Sequence, residues 1–462
     1  MDKEILKCLK NCTDNEWLGD LNSQKLYQLT QKLITELSAL SNNKQSKINI
    51  FIVENKPLKF IAAFLACLIT KVNLFLCDSN WKQTEWQQVL KLVQPDLILG
   101  DEQTKQLILQ NLSIAKTSSS LTFEDRSLIM IPTGGSSGKI KFAIHTQQTL
   151  TASVQGFSQY FQTKQINSFC VLPLFHVSGI MQFLRSFLTI GKLQIYSYKN
   201  LKQGTKPQLN TTDFFISLVP TQLQFLIDRD PLWLSKFKTV LIGGAPAARS
   251  LLDRARYYNI SLALTYGMTE TASQIVTLKP QDFLQGNNSS GRVLPHAKID
   301  IDRQSLNSEK IGLIKIEAAS LCLGYYPQLF ENRKFIPDDL GWLDASDYLY
   351  VVGRNSQKII TGGKNVFPSE IEAAILTTEL VSDVCVIGLP DSYWGEVVTA
   401  LYVPRRLPVD LNVIQQYLRK TLSNYKHPKH WLEVERLPRS DRGKVNYPQV
   451  KLLAIKLMSE RK

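Results

Sequence analysis

Short apolar runs alternate with amphipathic stretches along the first half of the chain. Leu21, Leu26, Leu29, Leu33 and Leu37 recur near helical spacing, so a helix is expected within 15–45. INIFIV (Ile48 to Val53) is a continuous apolar run and reads as a buried strand. A helix is expected at 57–71, a strand at VNLFLC (Val72 to Cys77), a helix around 81–93 and a strand at DLILGD (Asp96 to Asp101). SLIMIP, FCVLPL, FFISLVP, TVLIGG and SLALTYG continue the pattern, each a short apolar strand that ends in Gly, Pro or polar residues. Strands alternating with helices predict an α/β fold with doubly wound, mostly parallel sheets. Ligands of such sheets collect at the carboxyl ends of the strands, where the unusual residues of this chain also gather.

After about residue 290 the texture changes. AKIDID, KIGLIKIEA and YLYVVG predict a smaller β-rich subdomain over about 290–354. The remaining hundred or so residues, with the strand VCVIGLP and a helix at 411–422, read as a small α+β domain. The expected division is therefore 1–354 and 355–462.

Composition narrows the class. The chain has 462 residues, 44% hydrophobic and 20% charged, as a globular protein with a real core requires. Its 54 basic and 40 acidic residues give a formal charge of +14. No run of five Lys or Arg occurs, which favours a basic enzyme with polyanionic ligands over a nucleic-acid binder. Seven cysteines, an odd number without a C-x-x-C pair, fit reduced thiols in the cytoplasm. The start, MDKEILKCLKNCTDNEW, is charged throughout and has no apolar signal core. The longest apolar run, FIAAFLACLI, is too short to span a bilayer and is expected as a buried helix. The sequence leaves a homodimer open.

The candidate chemistry lies in six segments. In IPTGGSSGKIK, Thr133, Gly134, Gly135, Ser136, Ser137 and Gly138 can form an anion-binding nest of backbone N–H groups and hydroxyls, with Lys141 adding charge. A Walker loop fails at two positions. Gly134, Ser136 and Gly138 match a nucleophile elbow, but KIKFAIHT alternates like a strand where the elbow needs a helix. A plain Ser/Gly turn is the third reading. LPLFHVSG presents Phe175 and His176 after a strand, as pocket walls or as structural groups. LIGGAPA places Gly243, Gly244 and Ala245 at a strand end, where a planar ring can approach.

In LTYGMTETASQ, Tyr266 can stack on a base, Thr269 can bond a phosphate and Glu270 can hold Mg²⁺. An equal competitor is a helix N-cap at Thr269 with ETASQ as the first turn. Asp339 and Arg354 flank an expected hairpin and suit either a ribose or a surface ion pair. LPRSDRGKVN carries the isolated Lys444.

Taken in order, these segments resemble the adenylate-forming superfamily, from about residue 48 to 450. The resemblance implies ATP, Mg²⁺ and coenzyme A as ligands, and a mobile C-terminal domain. It implies that Thr133–Lys141 binds phosphate and that Gly243, Gly244 and Ala245 border the adenine. Tyr266, Gly267, Met268, Thr269 and Glu270 match the adenine and phosphate motif, with Glu270 as metal ligand. Asp339 matches the ribose carboxylate and Arg354 the arginine before the hinge. Gly362 and Gly363 match the CoA-tunnel loop, and Lys444 the lysine bridging carboxylate and α-phosphate. Ile140 and Phe142 depart from the family's Pro and Gly, Pro337 and Asp338 from its Thr-Gly, and the hinge falls at Ser356.

LPLFHVSG, YGMTETASQIVT and the short length are most similar to the o-succinylbenzoate–CoA ligase subfamily. PTGGSSGKIKFAIHT is similar to its cyanobacterial members. That likeness implies an aromatic dicarboxylate, a small-molecule carboxylate that suits a pocket with Phe175, His176, Ser273 and Gln274; from its position alone, Arg185 is expected to face the second carboxylate. Other aryl- or acyl-CoA ligases, a serine hydrolase using Ser136, and a non-catalytic nucleotide-binding protein are the alternatives.

Overall fold

The computed structural model describes residues 5, 8–10, 17–42, 47–111, 127–134, 139–304, 310–439 and 445–460. One seven-stranded sheet is built on four parallel strands in the spatial order Ile129–Gly134, Asn73–Leu76, Asn49–Val53, Leu97–Gly100. Ile50, Phe51, Ile52 and Val53 are all fully buried, which is why this strand reads as unbroken apolar sequence. The helix Pro57–Ile69 buries every side chain from Phe60 to Leu68. It is a core helix, and no helix among the described residues is long and apolar enough to cross a membrane. The helix expected within 15–45 runs Ser23–Asn42.

A second seven-stranded sheet runs parallel from Leu193–Ile195 through Asn167–Cys170, Phe214–Leu218 and Thr239–Ile242 to Leu262–Met268. There the chain turns, and Ser273–Thr277 returns antiparallel. Where the β-rich segment was expected, Ala297–Asp302, Gly312–Ala318, Asp339–Leu343 and Leu349–Arg354 form an antiparallel sheet.

The last sheet has five strands: Ile359–Thr361, Lys364–Val366, Val381–Asp391, Gly395–Pro404 and His430–Glu433. Along Val381–Asp391 side chains alternate between two cores. Val384 and Val386 join Ile414 and Leu418, whereas Cys385 and Ile387 join Val450 and Ala454. The described cysteines are free thiols, and five of the six are buried.

Candidate active site

The segment Leu262–Thr277 is the spine of the site. Leu262–Met268 is a strand, Thr269–Thr271 a single 3₁₀ turn and Ser273–Thr277 the returning strand. The capped helix that competed with this reading does not form. Ala272 and Ser273 adopt φ of 52° and 98°, which stops helical winding at once. Such backbone costs about 1–3 kcal/mol per residue, and it persists only where the surroundings over-determine it.

Here they do. The Thr269 carbonyl accepts from His145 Nε2 at 2.7 Å, and that of Glu270 from Cys322 N at 2.7 Å. The Thr271 carbonyl accepts from Ser320 Oγ at 2.9 Å, that of Ala272 from Ser153 Oγ at 2.7 Å, and that of Ser273 from Thr271 Oγ1 at 2.7 Å. Burial pushes the His145 imidazole down to about 4, so at neutral pH it is uncharged and its Nε2–H is the donor. Gly267 is required by closeness: a Cβ there would lie 2.2 Å from the Ser273 carbonyl oxygen.

Where a ribose was expected, Tyr266 Oη donates to Asp339 Oδ2 at 2.9 Å, and Arg354 Nε lies 3.4 Å from Asp339 Oδ1. Asp339 and Arg354 face each other across the Asp339–Leu343/Leu349–Arg354 strand pair, so the expected hairpin places both. Burial, and then the Asp339 charge, push the Tyr266 phenol well up, which keeps it a donor. Asp339, and not Asp338, sits opposite Arg354 and holds the Tyr266 hydroxyl. Asp338 Oδ2 instead accepts from Ser356 N at 3.1 Å and from the Ser356 hydroxyl.

Where phosphate binding was expected, Ile129–Gly134 and Ile140–His145 pair antiparallel with Thr133 opposite Lys141. A strand leads in and a strand leads out, which removes the nucleophile elbow and with it the hydrolase reading. Gly135, Ser136, Ser137 and Gly138 lie outside the described residues, as does Lys444. Lys141 Nζ sits 4.9 Å from the ring centroid of Tyr325, whose hydroxyl donates to Glu270 Oε1 at 2.6 Å. Phe142, in the family's Gly position, is fully buried and packs edge-on against Phe75.

At the other end of the spine lies Arg185, on the helix Val177–Leu188 and 3% exposed. Its Nη2 donates to Ser273 Oγ at 3.0 Å and to Gln274 Oε1 at 2.8 Å, and its guanidinium lies over the Phe157 ring at 4.2 Å. No carboxylate pairs with it among the described residues. Burial pushes its pKa down to about 9, so it stays a cation at neutral pH. Among the described residues, Arg185 Nε, Gln274 Nε2, Gln182 Oε1 and both ring nitrogens of His296 are buried without partners. Burial and the Arg185 charge push His296 down to about 4. A buried cation with no carboxylate beside it among the described residues is costly even with two neutral acceptors, so a purely structural role explains it poorly.

Phe175 and His176 stand together at the start of this helix, ring centroids 4.2 Å apart. Gly243 and Gly244 directly follow the strand Thr239–Ile242, with Ala245 next. Thr265 Oγ1 lies where a Gly243 Cβ would be crowded, at 2.5 Å. Gly362 and Gly363 form the turn between Ile359–Thr361 and Lys364–Val366, with φ of 54° and 72°. Sequence reasoning missed His145, Ser153, Ser320, Tyr325, Gln182 and His296. Only His145 left a trace, as a polar residue ending the apolar alternation of KIKFAIHT.

The fold and the site define an enzyme that activates a carboxylate with a nucleotide. The chain belongs to the AMP-binding enzyme family: residues 20–326 match that family's model, and 370–444 match that of the AMP-binding enzyme C-terminal domain. It is 32% identical to a 2-succinylbenzoate–CoA ligase of Oceanobacillus iheyensis, over 92% of this chain and 90% of that protein. Its fold matches that of o-succinylbenzoate CoA synthetase from Bacillus subtilis in complex with the acyl-adenylate intermediate OSB-AMP. The TM-score is 0.82 at 24% identity, with 97% of each chain covered. The same synthetase in complex with ATP and magnesium ion matches at 0.81 and 24% identity, over 97% of this chain and 99% of that one.

Proposed function

We propose that the chain is an ATP-dependent ligase that converts 2-succinylbenzoate to its acyl-adenylate and then to the CoA thioester, in the cytoplasm, as a step of menaquinone or phylloquinone biosynthesis. One observation carries the choice of acid: a fully buried guanidinium without a carboxylate, bonded to Ser273 and Gln274 on the same segment as Tyr266 and Glu270. The second carboxylate of an aromatic dicarboxylic acid supplies the missing anion, in the bidentate geometry Arg favours. Phe175 and His176 wall the ring, and the name of the Oceanobacillus relative points to the same substrate.

Adenylation needs no general base, because a carboxylate with an ordinary pKa near 4 is ionised at neutral pH. The barrier is the approach of one anion to another. Lys141 and Lys444 offset that repulsion, Lys444 by bridging the reacting carboxylate and the α-phosphate. Asp339 accepts from the ribose hydroxyls while Tyr266 and Arg354 fix its two oxygens. Glu270 would hold Mg²⁺, a hard cation that takes one or two carboxylates plus phosphate oxygens, and the ion would offset triphosphate charge. The division at 354/355 lets the small domain turn about Ser356, withdrawing Lys444 and bringing Gly362 and Gly363 to the CoA thiol.

The test is pyrophosphate release and thioester formation with ATP, Mg²⁺ and CoA across an acid panel. We expect kcat/KM for 2-succinylbenzoate to exceed that for benzoate and a medium-chain fatty acid by about a hundredfold or more, the scale of a buried charge left unpaired. Equal turnover of benzoate contradicts the choice of acid, and nucleotide binding without turnover of any acid contradicts the activity.

A further inference from the structure

Tyr325 stands between the two charged groups of the phosphate site. Its short strand, Gly324–Tyr325, pairs with the phosphate hairpin through Tyr325 and Ala143, which sets the ring beside Lys141. The 4.9 Å from Lys141 Nζ to the ring centroid is within cation–π range. The hydroxyl donates to Glu270 Oε1 at 2.6 Å, the short length of a charge-assisted bond. Three residues earlier, Cys322 N donates to the Glu270 carbonyl at 2.7 Å. One short segment, from Cys322 to Tyr325, therefore grips Glu270 by main chain and by side chain. Filling space between a strand and a turn would need the ring alone, not a hydroxyl aimed at a carboxylate.

The donor set suits an ion that arrives with its own ligands. Glu270 is a single hard carboxylate, and no group of three or more His, Cys, Asp or Glu able to hold a metal occurs among the described residues. Magnesium accepts that arrangement when phosphates and water complete its shell. With Oε1 engaged by Tyr325, the carboxyl torsion is fixed and Oε2 is left for the ion.

We propose that Tyr325 is a positioning residue that presets the Glu270 carboxylate for nucleotide-borne Mg²⁺ and Lys141 for the phosphates, an inference that rests on reading Glu270 as the metal ligand. The test is ATP affinity by calorimetry, with and without Mg²⁺, for the wild type, Tyr325→Phe, Tyr325→Leu and Glu270→Gln. Partners that orient a metal ligand are worth about 10–100-fold in metal affinity. Tyr325→Phe keeps the ring and should shrink the Mg²⁺ enhancement about tenfold, leaving Mg²⁺-free ATP affinity unchanged. Tyr325→Leu should also weaken Mg²⁺-free binding, because Lys141 loses its platform. A Tyr325→Phe enzyme with the full Mg²⁺ enhancement, beside a Glu270→Gln enzyme that lacks it, overturns the role of Tyr325 alone. A Glu270→Gln enzyme with the full enhancement overturns the metal reading, and the role of Tyr325 with it.

Discussion

The two ends of the segment Leu262–Thr277 are built on opposite principles. At the end proposed for the nucleotide the polar groups hold one another: Tyr266 and Arg354 hold Asp339, and Tyr325 holds Glu270. At the end proposed for the acid, Arg185, Gln274, Gln182 and His296 all keep buried polar atoms without partners among the described residues. A satisfied network is rigid and indifferent to which acid enters. An unsatisfied one is costly until a ligand of the right charge completes it, and so it selects. On the proposed reading, rate machinery and specificity are separated along one stretch of chain.

That separation can be broken at either end. The largest effect should come from the rate machinery: Lys444→Ala is expected to slow adenylation about a hundredfold or more for every acid, by the scale of one lost electrostatic donor. Pyrophosphate exchange measures it, and an unchanged rate would remove Lys444 from the site. Next, Asp339→Asn should raise the KM for ATP about tenfold without altering the preference among acids, as expected for one charge-assisted contact. A shift in acid preference would show that the two ends are not independent.

A third test has the opposite sign. Arg185→Met should stabilise the ligand-free protein by about 1–3 kcal/mol, because it removes an unpaired buried charge, while it impairs use of the dicarboxylate. Thermal melting without substrate reads this directly, and a fall in the midpoint would mean that the cation is already compensated.

A fourth test concerns pH. The folded-state pKa of His145, about 4, lies below the ordinary 6.5, so its contribution is fully present above 6.5 and is lost as pH falls through 4. The loss is on the order of 3 kcal/mol across that window. His145→Gln, whose amide can still donate to Thr269, should flatten the stability curve between pH 6.5 and 4. His296, at the acid end, adds a parallel loss that this variant leaves in place.

Local patterns made most of the nucleotide end legible in the sequence. Glycines, hydroxyls and charges there follow apolar strands within a few residues, and the hairpin joining Asp339 to Arg354 is a short-range feature. The braces were not legible, because sheet pairing creates them. His145 reaches Thr269 across 124 residues, and Tyr325 reaches Glu270 across 55. Alternation in KIKFAIHT signalled a strand, yet nothing in it named the carbonyl that His145 would meet. Thr269 read equally well as a helix cap, and left-handed backbone at Ala272 and Ser273 decided the matter against a helix. Arg185 stood out only by position, since its partners Ser273 and Gln274 lie 88 and 89 residues away.

The most direct test is kcat/KM of wild type and Arg185→Gln for 2-succinylbenzoate and for an analogue in which the succinyl carboxylate is replaced by a methyl group. The account predicts that the wild type prefers the dicarboxylate by about a hundredfold and that Arg185→Gln erases this preference with little change in its rate on the analogue. Equal losses on both acids would contradict it, because Arg185 would then be part of the shared scaffold and not the reader of the second carboxylate.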